Sequence, residues 1–225
     1  MEDLKLLRWT GITGVIGAIL LFTGDMFLFG SWLSGQETLA ENWRLMSRFS
    51  PLRLMIGGIL GPISTIFYGL GCWHFYLALK PGGKQLGFLV FLTYTSGMII
   101  GGAYQAASPV LGFFFHVEQA LGQEGFDLLS AATLQYLTLL FTIAQIFGII
   151  GSLLFIFLVL FRSTRYPRWM IFVTPPVILF TRTIFRHFPA PLGGNLLAGY
   201  INLGFLLIFG VSLKILWHGG RRITP

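Results

Sequence analysis

The stretch TLQYLTLLFTIAQIFGIIGSLLFIFLVLF, residues 133–161, contains no Asp, Glu, Lys, Arg or His. At 1.5 Å of rise per residue, a helix over it outlasts the ~30 Å hydrocarbon core of a bilayer, so it reads as a membrane span. Five stretches of the same character accompany it: Trp9 to Gly30, Arg53 to Leu79, Leu86 to Ala107, Trp169 to Phe188 and Leu192 to Trp217. The pattern predicts an all-α, polytopic bundle of six transmembrane helices, forming one integral membrane domain over residues 1–225.

Composition agrees with that reading. The chain is 55% hydrophobic and only 10% charged, with a mean hydropathy of +0.77. A soluble domain of this composition would leave too much apolar surface in water. The net charge of +7 does not point to nucleic acid, because the bases sit in short loops at segment ends, where they set membrane orientation and meet anionic lipid headgroups. Cys72 is the only cysteine, which excludes an internal disulfide and a C-x-x-C redox pair.

The bases fix the expected orientation. Six crossings put both termini on one side, together with Lys5, Arg8, Lys80, Lys84, Arg162, Arg165, Arg168, Lys214, Arg221 and Arg222, whereas Arg44, Arg48, Arg53, Arg182 and Arg186 fall on the other. The positive-inside rule makes the richer side cytoplasmic. Trp9, Trp73, Trp169 and Trp217 fall at the cytoplasmic ends and Trp32 and Trp43 at the outer ends, as interfacial tryptophans should. Glu2, Asp3 and Asp25 argue against a cleaved leader and for an uncleaved first helix.

Two short outer elements are expected. Ser34 and Glu37 form a capping box, and Glu37, Glu41, Arg44 and Arg48 follow one helical stripe, predicting an interfacial helix over about 36–49 that ends at Ser50-Pro51. Pro109 should stop the third helix, and residues 110–121 are apolar but too short to span. Phe113, Phe114, Val117 and Leu121 share a face there, so an interfacial or re-entrant helix is predicted. Gly57 with Gly61, and Gly97 with Gly101, are spaced for close helix contact.

Polar groups inside hydrocarbon are costly and mark pairing or function. They collect in the outer half: Asp25, Tyr104, Gln105, Gln135, Tyr136, Arg182, Asn195, Tyr200 and Asn202, with His116, Glu118, Arg186 and His187 just beyond. Several helices contributing polar groups at one depth predict an outward-facing pocket. Asp25, Glu118 and His116 are the candidate acid/base residues. Arg182, Arg186, Tyr104, Gln105, Tyr136, Gln135, Asn195, Tyr200 and Asn202 are the candidate substrate-binding residues. Arg182 and Arg186, four apart, share a helical face suited to a phosphate or carboxylate. An Asp25–Arg182 ion pair is the economical way to hold either charge in lipid. Pro175-Pro176 should kink the fifth span and shape the pocket floor. His116 and Glu118 point about 200° apart on a helix and act together only in a turn. His74 lies far from these groups in depth and reads as packed or interfacial.

No H-E-x-x-H, clustered Cys or His, G-x-S-x-G or P-loop motif occurs, so neither a metal nor a cofactor is expected. Lys214 is too near the end of the last span to serve as a retinal lysine.

The segments GDMFLFG at 24–30, RLMIGGILGP at 53–62, GGAYQAASP at 101–109 and LGGNLLAGYIN at 192–202 resemble an uncharacterised family of bacterial multi-pass membrane proteins. The resemblance implies a bacterial inner-membrane protein and directs attention to Asp25, Tyr104 and Asn202. Two functions fit the residues. One is an enzyme performing acid/base chemistry on an amphiphilic lipid or isoprenoid, with the arginines on an anionic head and the tyrosines along the apolar part. The other is a carrier or receptor for a small amphiphile or anion, which as a carrier without internal repeats would need a homodimer to form a pathway.

Overall fold

The computed structural model of the chain describes residues 2–30, 43–175, 177 and 180–218, and every regular element among them is helical. The helices are α1 (Glu2–Leu28), α2 (Pro51–Leu79), α3 (Lys84–Ala107), α4 (Pro109–His116), α5 (Glu118–Phe161), α6 (Thr181–Phe185), α7 (Leu192–Ala198) and α8 (Tyr200–Leu216). Short 3-10 helices cover Leu45–Arg48, Lys80–Gly82 and Arg168–Val173. Four rods are long and apolar enough to cross a membrane: Leu4–Leu28, Pro51–Gly82, Lys84–His116 and Glu118–Phe161. Helices α7 and α8, bent by 73° at Gly199, make a fifth if taken as one span. The chain is thus an all-α protein of membrane type.

The stretch expected as the fifth span, Trp169–Phe188, is not one continuous helix. Its described residues hold the 3-10 turn Arg168–Val173 and the short α6. Pro175 lacks an N–H and disfavours helical geometry before it, and Thr174 is accordingly extended at φ −75°, ψ 152°. Pro176 lies outside the described residues. Of the helix expected over 36–49, residues 36–42, like Ser34, Glu37 and Glu41, also lie outside them, and the remainder includes the Leu45–Arg48 3-10 turn. Ser50 then caps α2, its hydroxyl accepting from Arg53 N at 3.3 Å, with Pro51 in the first helical position.

The predicted element over 110–121 is replaced by a different division. Ser108 keeps helical dihedrals in spite of Pro109, so Lys84–His116 runs as one rod. Its hydroxyl bonds the Tyr104 carbonyl at 2.9 Å, occupying an acceptor at the joint. The rod ends at Val117 (φ −113°, ψ 12°), and α5 begins at once, broken only at Gly122 (φ 68°, ψ 161°). The positive φ there suits glycine.

Neighbours along the bundle run α8, α1, α2, α3, α5. The row curves, because one cavity is lined by both of its end helices. Arg8 Nε donates to the Trp217 carbonyl at 2.9 Å, with the guanidinium 4.9 Å from the Trp217 ring. The first and last helices are therefore antiparallel, and both meet at one end of the bundle, the terminal end.

Two cores result. Toward the terminal end, Tyr68, Phe75, Tyr94, Phe155, Phe205 and Phe209 are buried together, and Phe75 stacks on Phe209 with centroids 4.6 Å apart. Below them His74 Nε2 and the Tyr166 hydroxyl lie 2.7 and 2.6 Å from Ser212 Oγ, and His74 Nδ1 is 2.9 Å from the Leu7 carbonyl. Of the two readings open for His74 the packed one holds, and the ring is tied to α1, α8 and, through Ser212, the loop after α5. At the far end Leu28, Trp43, Met46, Leu54, Leu111 and Leu137 form the second core. Arg53 closes it: its guanidinium donates to the carbonyls of Phe27 (2.8 Å), Met26 (3.1 Å) and Gly30 (2.7 Å) and sits over the Phe49 ring. These carbonyls lie at the C-terminal end of α1, where helical donors run out, and that of Met26 also accepts from Gly30 N at 3.1 Å. Arg53→Met keeps the packing and removes all three donors, so it should cost about 1–2 kcal/mol after allowance for partial exposure. Thermal unfolding in detergent checks this.

Candidate functional site

Between the two cores lies a cavity of about 1280 Å³. It exceeds the ~300–1,000 Å³ usual for drug-sized ligands. Its walls are α1, α3 and α8 on one side, α5 on another, and the 182–198 region at the mouth. The gap exists because α5 packs along α3 but does not close on α8 in this half. No residue of α5 from Thr138 to Ile150 is buried. Gly101 and Gly148 both line the cavity, and a Cβ added to either would meet nothing within 4 Å. The floor is closed by Phe205, which packs edge-on against Tyr68 and Tyr94, and by the stacked Phe75–Phe209 pair beyond it.

Asp25 is the only carboxyl lining the cavity among the described residues, and it is 8% exposed. Asn202 Nδ2 donates to its Oδ2, and the Tyr68 hydroxyl donates to Asn202 Oδ1 at 3.0 Å. The local sequence makes this possible. Gly199 breaks α7 from α8, and a Cβ there would overlap the Phe22 ring at 2.4 Å, so the start of α8 drops against α1 and Asn202 reaches Asp25. A second amide, Gln105, is buried and donates to the Gly57 carbonyl at 3.1 Å.

At the mouth, Arg182, Arg186 and His187 are exposed to the cavity or its opening. The Arg182 guanidinium lies 5.8 Å from the Tyr200 ring, a geometry that holds a cation without neutralising it. The expected Asp25–Arg182 ion pair is absent among the described residues. Asp25 takes Asn202 instead, and Arg182 takes the tyrosine face.

Of the residues singled out from the sequence, Asp25, Tyr104, Gln105, Arg182, Arg186, Tyr200 and Asn202 share this cavity. Tyr104 also meets Phe141 of α5, ring centroids 5.3 Å apart. Glu118, His116, Gln135, Tyr136 and Asn195 are not in its wall. His116 is exposed and lies 2.8 Å from the Phe49 carbonyl through Nε2, beyond the far-end core, with the Val117 turn between it and Glu118. Gln135 and Tyr136 lie on the exposed side of α5, because Leu134, Leu137 and Thr138 take the inward stripe. Sequence reasoning missed Tyr68, Thr138, Gln145 and Thr183. Tyr68 and Gln145 carried a usable signal, a polar side chain within an apolar run.

The arrangement joins an apolar chamber, one carboxyl held by an amide that a phenol holds in turn, and two guanidiniums without acidic partners among the described residues. It suits an amphiphile with an anionic head. Among the described residues no group of three or more His, Cys, Asp or Glu is arranged to hold a metal ion. The model of a family of unknown function (DUF6796) matches residues 1–218, and the chain belongs to that family. No curated protein and no solved structure matches it.

Proposed function

We propose that this member of a family without an assigned activity is an integral membrane protein that takes an anionic amphiphile, a lipid or an isoprenoid, into the cavity and acts on it by acid/base chemistry at Asp25. The observation that carries the reading is the unfilled space between α5 and α8, walled by apolar side chains and bordered by Arg182 and Arg186. In this reading the guanidiniums hold the head, Tyr104 and Tyr200 flank the apolar part, and Asp25 exchanges the proton. Asn202 and Tyr68 orient the carboxyl. His116 and Glu118 drop out as acid/base partners, because neither reaches the chamber.

The same proposal orients the protein. Lys5, Arg8, Lys80, Lys84, Arg162, Arg165, Arg168 and Lys214 gather toward the terminal end, which the positive-inside rule makes cytoplasmic, with the 168–188 stretch completing a sixth crossing. The cavity then faces outward. Together with the segments quoted above, this favours a bacterial inner membrane. A carrier would need a path through the aromatic floor, and the Phe75–Phe209 stack beneath the cavity favours access from one side only.

Occupancy is tested by filling the space. Gly101→Leu and Gly148→Leu add side chains where nothing stands, and within helices they remove a glycine that costs ~1 kcal/mol. Both variants should fold at least as well as the parent. Each should also lose most of the lipid that native mass spectrometry finds retained on the parent. Lipid retention unchanged in both variants would contradict the proposal.

A further inference from the structure

One cavity residue has no part in holding the head or in the Asp25 network. Gln145 lies on α5 in the middle of the charge-free stretch, lines the cavity, and bonds to no other described residue. Once a bound apolar chain fills the cavity and excludes water, an amide in its wall is costly unless a partner on that chain satisfies it. Its neighbours on the inward stripe, Phe141, Ala144 and Gly148, offer no side-chain hydrogen bond. Its depth follows from the α3–α5 contact. A Cβ on Gly97 would lie 3.2 Å from the Ala144 carbonyl, so Gln145 sits at the level of Gly97. Gln105, which packs against Gly24 beside Asp25, lies eight residues along α3 from Gly97, a rise of about 12 Å.

The geometry points to a second recognition site: Gln145 hydrogen-bonds a hydroxyl or carbonyl borne part-way along the ligand's apolar chain, so the cavity selects anionic amphiphiles whose chain is oxygenated in its middle. The selection is by difference. A plain chain leaves the amide unpaired in an apolar chamber, whereas an oxygenated one pairs it. Gln145 can serve either kind of group, since its amide both donates and accepts.

This inference rests on the amphiphile reading above, and its test separates the two. Stearate, 2-hydroxystearate and 12-hydroxystearate share an anionic head and differ in whether, and where, the chain bears a hydroxyl. Their binding to the delipidated protein in detergent is measured by calorimetry, for the parent and for Gln145→Leu. The parent should hold 12-hydroxystearate about fivefold more tightly than stearate or 2-hydroxystearate. Gln145→Leu should bind all three alike, at the parent's affinity for stearate. Equal affinity of the parent for the three would overturn the role of Gln145 while leaving the amphiphile reading standing. Binding of none would overturn both. The comparison within the parent keeps the test decisive even if Gln145→Leu does not fold.

Discussion

Gly71→Leu should abolish folding of the bundle, and Gly71→Ala should lower its stability by about 3 kcal/mol. A Cβ on Gly71 would lie 2.5 Å from the Gly14 Cα and 2.9 Å from the Phe209 ring. The first of these atoms is backbone, so relief requires α1 and α2 to move apart. A Cβ on Gly14 would strike the same ring at 2.5 Å. Phe209 is thus wedged where α1, α2 and α8 meet, stacked on Phe75 in a fully buried core. Forcing extra atoms into such packing costs ~1–3 kcal/mol and sometimes more. In a bilayer the effect is acute, because close van der Waals packing replaces the hydrophobic force that drives soluble cores together. Expression level and thermal unfolding in detergent check it. Gly101→Ala is the control, since its new methyl group enters open space.

Asp25→Asn should leave the fold and ligand retention intact and lower turnover by a factor of about 10²–10⁴, the usual contribution of a general acid or base. The replacement is isosteric, and its carbonyl can still accept from Asn202 Nδ2, so the Asn202–Tyr68 chain survives. What disappears is the ability to give up and regain a proton. The measurement compares lipid extracts, by mass, from cells making the parent and cells making the variant. A product present with the parent and missing with Asp25→Asn supports chemistry at this carboxyl. A retained ligand with no mass change in either strain would leave a receptor, and Asp25 would then be a buried anchor for α8.

The elements that sequence pattern recovered are those in which hydropathy alone decides. The 133–161 stretch has no charge to interrupt it, and it forms the larger part of α5. Hydropathy was blind at three joints. Thr174-Pro175 breaks an otherwise apolar stretch, Ser108 carries a helix past Pro109, and Gly199 bends what reads as one span. Each outcome depends on backbone dihedrals that neighbours choose, and two prolines of similar sequence setting behave oppositely. At the site, depth was legible because residue number along a helix measures it. Direction around the axis was not. Asp25 and Arg182 were paired by depth, yet Asp25 meets Asn202 and Arg182 meets Tyr200. Gln135 and Tyr136 have suitable depth and lie on the exposed side of α5. Gln105 lines the cavity and also gives its amide nitrogen to the Gly57 carbonyl, a backbone group that only close helix approach exposes to it.

The central claim is that the space between α5 and α8 holds an amphiphile by its head, and an experimental structure in lipid nanodiscs tests it most directly. The account predicts elongated density along the Phe141–Gly148 face of α5, with its broad end against Arg182 and Arg186. A bundle in which α5 closes onto α8, leaving Asp25 and the two arginines no common chamber, would contradict it.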